Sequence, residues 1–296
     1  MLDVRRLRLL CDLDLLGTIA AVARVNAYTP SAVSQQLSAL EREAGVPLLE
    51  RTGRRVTFTA ANRVLVTHAA TVLAALEQAT AALASASDRL SGPLRIGAFP
   101  TAVRTLLPRA LVSLGREHPA LELRVTELDP VAVPRALRER QLDVGLVQDY
   151  DVAPAAPDAD VDTTPLLEET VYLAVPARSG TTGLPAADDS AWITATPGTL
   201  CHTATIQVCR AAGFTPRTRH TADDFATVLA LVAAGQGVSL VPELAVADAP
   251  PGVRLTALPH RRRTRIACRR GAASHPMVAA CTAALRDSVA YSAGHV

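Results

Sequence analysis

The 296-residue chain contains no lysine; all 30 of its basic residues are arginine. This excludes a Schiff-base lysine, a pyridoxal-phosphate site and a lysine-bearing phosphate loop. Arginine remains available for phosphates and guanine edges. Aromatic residues make up only 3%, so any core must be aliphatic, and a hydrophobic content of 49% is enough to build one. The five cysteines (11, 201, 209, 268 and 281) are odd in number and form no CxxC, which argues against a disulfide framework or a zinc finger. No run of about 18 uncharged apolar residues occurs, so no membrane span is expected. The start, MLDVRRLRLL followed by Asp12 and Asp14, does not read as a signal peptide. A reducing, cytoplasmic setting is therefore expected. The net charge of +2 is too small to mark a nucleic-acid binder by itself, so any basic surface must be local.

What is present begins with short helical signals. Asp3 can cap a helix reaching about Leu16, and Thr18, after Gly17, a second ending near Asn26. Thr29 can cap a third, because Pro30 suits the first helical position and Gly45 stops the helix. Val33, Leu37, Leu40 and Ala44 then share one face, while Ser31, Ser34, Gln35, Ser38 and Arg42 lie on another. Two short extended pieces follow around a turn at Thr52-Gly53 that carries Arg51, Arg54 and Arg55. Residues 60–90 lack glycine and proline. Leu65, Ala69, Val72, Leu76, Ala79, Leu83, Ala86 and Leu90 form a strict heptad seam, which predicts a long helix pairing with a second chain.

Ser91-Gly92-Pro93 marks a boundary, and the remainder alternates strands and helices. Strands are predicted at 94–98, 121–128, 143–147, 171–175, 192–194, 237–241 and 264–269. Helices are predicted over 101–118, 131–140, 200–212, 222–234 and 276–290, with a loop over 149–165. This grammar implies a parallel sheet covered by helices. The basic run Arg261–Arg265 reads as a solvated approach to the last strand.

The second and third helices form a helix-turn-helix. Thr29, Ser31, Ser34, Gln35 and Ser38 offer small hydroxyls and amides that can reach phosphates and base edges of double-stranded DNA. Arg51, Arg54 and Arg55 can lie along the adjacent groove or backbone. Residues 1–63 carry nine arginines against six acids, a local excess of +3. In the C-terminal part, ligands are expected at loops that follow strands. Candidate effector contacts are Phe99, Pro100 and Thr101, then Gln148 and Asp149, then Thr196 and Thr199 from a facing subdomain, with Pro242. No Ser-His-Asp order, phosphate loop, HExxH or GxGxxG appears, so no catalysis, metal or cofactor is expected. The rival class, an α/β enzyme with a helical appendage, rests on the fold grammar alone.

These residues also resemble a known family. Gly17–Ala23, Thr29-Pro-Ser-Ala-Val-Ser-Gln-Gln-Leu37, Gly45-Val-Pro-Leu-Leu-Glu-Arg51 and Thr57-Phe-Thr59 are similar to the N-terminal domain of LysR-type transcriptional regulators. Leu94–Gly97, Leu142–Gly145, Ala212–Pro216 and Val232–Pro242 continue the resemblance in the same order. It implies a winged helix-turn-helix over 1–59, a linker and dimerisation helix over 60–91 with Leu65, Val72, Leu76 and Leu83 on its seam, and an effector-binding domain over 92–296. The last would be a type II periplasmic-binding-protein-like fold of two α/β subdomains, about 92–164 with 264–296 and about 165–263. It further implies a homodimer, assembled as a homotetramer, switched by a small-molecule effector. The chain departs from the family at Asn26, where a core leucine is usual, at Pro30-Ser31 in place of Gln-Pro, and at Asn62 in place of glycine. Peroxide-sensing members use a cysteine pair near Cys201 and Cys209, so a redox-sensing regulator of the same fold is the alternative. On a continuous helix those residues would sit about 12 Å apart, beyond the ~7 Å a disulfide allows.

Overall fold

The structure is a computed structural model that describes residues 1–52, 55–85, 89–156 and 158–293, the side chains of 51, 52, 55, 56, 248, 292 and 293 excepted. The chain forms two compact units, Met1–Ala86 with Arg269–His275, and Ser87–Cys268 with Pro276–Val296.

In the first unit each helix starts and stops where its capping residues require. The Asp3 carboxylate accepts from the amides of Arg5 and Arg6 and opens α1 (Val4–Leu16). Gly17 closes it at φ 70°, a left-handed conformation that costs glycine little. Thr18 caps α2 (Ile19–Val25), and Thr29 caps α3 (Pro30–Ala44) by accepting from Ala32 N. Leu10, Leu13, Val22, Val33, Leu37 and Leu40 bury the shared faces, each at about 1.5–3 kcal/mol. Arg6 ties α1 to α3 through Gln36 (2.9 Å) and an ion pair with Glu43. The Glu41 carboxylate accepts from the amides of Leu48 and Leu49, both at 2.9 Å, and so fixes the entry to β1 (Leu49–Thr52). That strand pairs antiparallel with β2 (Arg55–Phe58).

Two departures from the family pattern have local consequences. Asn26 replaces apolar packing with hydrogen bonds from its Nδ2 to Asp12 (2.8 Å) and to the Val22 carbonyl (3.0 Å). Asn62 is fully buried, and neither polar atom of its side chain finds a partner among the described residues, a net cost to this unit.

The long helix α4 (Ala60–Ala84) is capped by Thr59 and ends at Ser85, so the seam residue Leu90 lies beyond it, and Ala86 lies outside the described residues. The seam divides along its length. Ala69 is buried and Leu65 packs on the helix-turn-helix core, whereas Val72 (42% exposed), Leu76 (42%) and Leu83 (77%) face outward. By length and composition alone α4 could cross a membrane, with a mean hydropathy of 1.2 over 18 residues. Its outward apolar residues keep mainly to heptad positions, the pattern of a partner seam.

The second unit is built on a six-stranded sheet of order β4-β3-β5-β10-β6-β9. β3 (Gly92–Ala98) runs parallel to both β4 (Leu121–Glu127) and β5 (Val144–Tyr150). β10 (Val253–Arg269) runs antiparallel to β5, and β6 (Val161–Pro176) antiparallel to β9 (Ser239–Pro242). The sheet is therefore mixed, not parallel, because the two long strands reverse direction as they cross. A separate parallel pair joins β7 (Ala191–Thr194) to β8 (Arg217–Thr221). α5 (Pro100–Thr105), α6 (Leu107–Glu117), α7 (Val133–Arg138) and α10 (Pro276–Ala293) accompany the β3–β5 side, and α8 (Leu200–Ala211) and α9 (Phe225–Ala233) the β7–β9 side.

Several sequence expectations are corrected here. The helix predicted over 101–118 is broken at Leu106, since Pro108 has no amide hydrogen for an intrahelical bond. The predicted loop over 149–165 is shorter: β5 runs on through Gln148 and Asp149 to Tyr150, and β6 begins at Val161. β10 has 17 residues rather than six, and takes in the whole Arg261–Arg265 run.

Candidate nucleic-acid interface and ligand cavity

The α2–α3 turn brings the predicted DNA-reading residues to one exposed edge. Ala27 there adopts φ 54°, which tightens the reversal between the helices. Thr29 and Ser31 share a hydrogen bond (3.0 Å), so their hydroxyls also serve the start of α3. Gln35 and Ser38 are exposed and Ser34 half-buried, and none of the three side chains is engaged among the described residues. They follow one another along the first turns of α3, while Val33, Leu37 and Leu40 hold the opposite face in the core. Of the wing arginines, Arg54 lies outside the described residues, as do the side chains of Arg51 and Arg55.

The second unit contains a cavity of about 210 Å³. Phe99, Pro100 and Thr101 reach it from the β3–α5 junction, Gln148 from β5, and Thr199 and Cys201 from the start of α8. Five predicted effector contacts thus converge on one space. Three do not line it. Asp149 is held by Arg263 (3.0 Å) and Arg265 (3.5 Å) beside a separate opening. Thr196 is exposed and donates to Asp223 (2.6 Å). Pro242 lines a neighbouring recess.

Sequence reasoning missed the residue at the centre of this site. Arg262 is fully buried, although the run containing it reads as a solvated segment. Its Nη2 donates to Glu169 (2.9 Å), its Nη1 to Gln148 Oε1 (3.2 Å), and its guanidinium lies 5.0 Å over the Phe99 ring. Burial alone works against the charge on Arg262. The adjacent, hydrogen-bonded Glu169 carboxylate, together with Tyr150 and Cys201, more than reverses this and holds the guanidinium above its ordinary value. Gln148, oriented by Arg262, donates its Nε2 to Cys201 Sγ (3.2 Å), and the Tyr150 hydroxyl meets the same sulfur at 3.2 Å. The available signal was the period-two burial of 262, 264 and 266, which becomes visible only once the segment is read as a strand.

Burial pushes the Cys201 thiol above its ordinary value, against the opposing pull of Tyr150, Arg262 and Gln148. Cys209 is fully buried, and burial pushes it up to about 12. Both belong to the unbroken helix α8, so a disulfide between them requires that helix to unwind.

A helix-turn-helix unit with a wing, combined with an α/β unit whose small cavity is lined from several elements, defines a ligand-responsive DNA-binding regulator. Comparison with known proteins gives the family. Residues 4–63 match the bacterial regulatory helix-turn-helix protein, lysR family, and residues 87–290 match the LysR substrate binding domain. The chain belongs to the LysR family of transcriptional regulators. A "Probable hydrogen peroxide-inducible genes activator" of Mycobacterium avium is 35% identical over 222 residues, covering 73% of this chain and 70% of the relative. Among solved structures, a full-length OxyR cysteine variant from Pseudomonas aeruginosa is 25% identical with a TM-score of 0.61, covering 98% of this chain and 95% of that one. CbnR in complex with its target DNA is 24% identical with a TM-score of 0.53, covering 97% and 99%, and supports the fold alone.

Proposed function

We propose that this regulator reads an operator through Ser31, Ser34, Gln35 and Ser38 on α3, helped by Thr29 and the wing arginines 51, 54 and 55. In this reading it responds to a small molecule held in the 210 Å³ cavity. The observation that carries the second part is the convergence of Thr101 and Gln148 from one side, and Thr199 and Cys201 from the other, on a single space. Residues 92–164 with 264–296 would form one lobe, and 165–263 the other. A ligand touching both favours one closure of the lobes, and that population shift reaches the DNA-binding heads. The regulator would act in the cytoplasm, with residues 1–59 on DNA and 60–91 as the dimerisation segment of a homodimer that pairs into a tetramer.

Two outcomes test this reading. Thr101→Val keeps the shape of a residue only 2% exposed and removes one hydroxyl from the cavity wall. Affinity for an effector found by thermal-shift screening should fall by about 1–3 kcal/mol, with DNA affinity unchanged in its absence; an effector bound equally well by both forms removes Thr101 from the site. Leu76→Asp places a charge at the middle of the outward seam, facing its own copy. Sedimentation should then report monomers, and an intact dimer would move the interface elsewhere.

A second reading, direct thiol sensing, is favoured by the presence of Cys201 among the residues lining the cavity and by the naming of relatives as peroxide-inducible activators. Here Cys201 acts alone, since Cys209 is sealed in the core. Cys201→Ser would abolish a peroxide response under this reading, whereas under the first it would change effector affinity and leave a response in place.

A further inference from the structure

We propose that the turn after β10, residues 269–275, is a latch on the linker helix α4, and that β10 carries the state of the cavity through this latch to the DNA-binding unit. The proposal deepens the effector reading above and rests on it for the signal that the latch transmits.

The path of the chain is the first observation. β10 runs unbroken from Val253 to Arg269, yet Arg269–His275 belongs to the first compact unit and the residues up to Cys268 to the second. The strand therefore starts in the effector-binding unit and ends in the DNA-binding one. Its middle is tied to the cavity: Gln148 on the wall accepts from Arg262 at 3.2 Å, and Arg262 Nη2 donates to Glu169 at 2.9 Å. From Arg262 to Cys268 every residue is registered against β5, from Tyr150 back to Val144. This stretch moves as one body, so a shift at Arg262 is felt at Arg269, roughly 23 Å along the strand.

The second observation is what residues 269–275 touch. Gly271 sits at φ 83°, and a Cβ there would lie 2.4 Å from the Ala74 carbonyl oxygen, so the two backbones meet at a distance that only glycine permits. Arg269 Nε pairs with Glu77 at 3.6 Å, and the two side chains are only 16% and 15% exposed, which strengthens their attraction over that of a surface pair. The turn is closed by Ala272 N on the Arg269 carbonyl and His275 N on the Ala272 carbonyl, both at 2.9 Å. Ala74, Glu77 and the fully buried Ala81 share one face of α4. At 3.6 residues per turn, that face lies opposite Val72, Leu76 and Leu83, so the latch leaves the outward seam free. The close backbone approach and the ion pair belong to one tight turn and are made or lost together, as a two-state element requires.

Hydrogen exchange of the full-length protein, with no effector added, tests both halves of the proposal. Glu77→Arg and Arg269→Glu should each speed exchange of the α4 amides over 70–84 by about fivefold or more, and the two together should restore most of the protection. Gly271→Ala opens the latch without touching a charge and should act in the same direction. Arg262→Lys keeps a counter-charge for Glu169 but gives up the fork that also holds Gln148; Arg262→Met, a larger change at the same place, is read beside it. Each should speed exchange of the same α4 amides, yet add little once Glu77→Arg has opened the latch, whereas independent sites would simply add. DNase footprints on the DNA upstream of the gene should change in Glu77→Arg and return in the charge-swapped pair. Unchanged α4 exchange in Glu77→Arg, Arg269→Glu and Gly271→Ala removes the latch. Faster exchange in those variants, but with α4 unmoved or merely additive in both Arg262 variants, or with an unchanged footprint, reduces the turn to a structural contact and overturns the transmission. Neither result bears on whether the cavity binds a ligand, which the thermal-shift screen decides separately.

Discussion

Replacing Ser34 and Gln35 together by alanine should lower operator affinity by about 10- to 10⁴-fold, the loss of two base contacts at ~1–3 kcal/mol each. Neither side chain is engaged among the described residues, and both project from the face of α3 opposite Val33, Leu37 and Leu40. Alanine is a stronger helix former than serine or glutamine, and the Thr29 cap is untouched, so the helix itself should persist. The circular dichroism spectrum and melting temperature should therefore match the parent protein. Gel shifts on the DNA upstream of the gene should lose the specific complex, while weak binding to unrelated DNA and its salt slope remain, because phosphate contacts are unchanged. Undiminished operator affinity would remove these two residues from the reading face. A uniform loss on all sequences would make them phosphate contacts instead.

The DNA-binding unit was legible because its signals are local. Asp3, Thr18 and Thr29 cap their own helices, and Gly17 and Gly45 end them through a backbone conformation set by one residue. The heptad spacing likewise announced α4, although nothing in it marked the stop at Ser85, where a helix rich in alanine and leucine ends without glycine or proline. The α/β unit was legible in its element order and much less so in its long strands. β6 opens with Val-Asp-Thr-Thr-Pro, and the middle of β10 reads His-Arg-Arg-Arg-Thr-Arg, both polar enough to pass for loop. Each is a strand because of what lies beside it: Asp149 opposite Arg263, and Glu169 beneath Arg262. β8, Arg-Thr-Arg-His-Thr, was missed for the same reason. The candidate site divides the same way. Thr101 and Thr199 follow from the rule that ligands gather where strands end and helices begin, whereas Arg262 depends on a partner 93 residues away, which no local pattern records.

That distant pair supports the largest stability effect expected in the effector-binding unit. Arg262→Met should destabilise this unit by about 3–5 kcal/mol, because it leaves Glu169 buried without its counter-charge. The Glu169 side chain is only 2% exposed, so water cannot take over the role of the guanidinium. For a unit of this size, each kcal/mol shifts the melting temperature by about 2–4 °C, so a drop of roughly 6–20 °C is expected by calorimetry. The cost should come from the orphaned charge more than from lost packing, since methionine fills similar space and adapts its shape. Adding Glu169→Leu should therefore recover most of the loss. Recovery should stop short of complete, because Glu169 also accepts from Leu244 N (3.3 Å) and Arg262 also orients Gln148 (3.2 Å). If Arg262→Met alone costs less than about 1 kcal/mol, the buried pair is not the centre of this unit. If the double variant is no more stable than the single one, the loss belongs to packing around Phe99 and not to the uncompensated carboxylate.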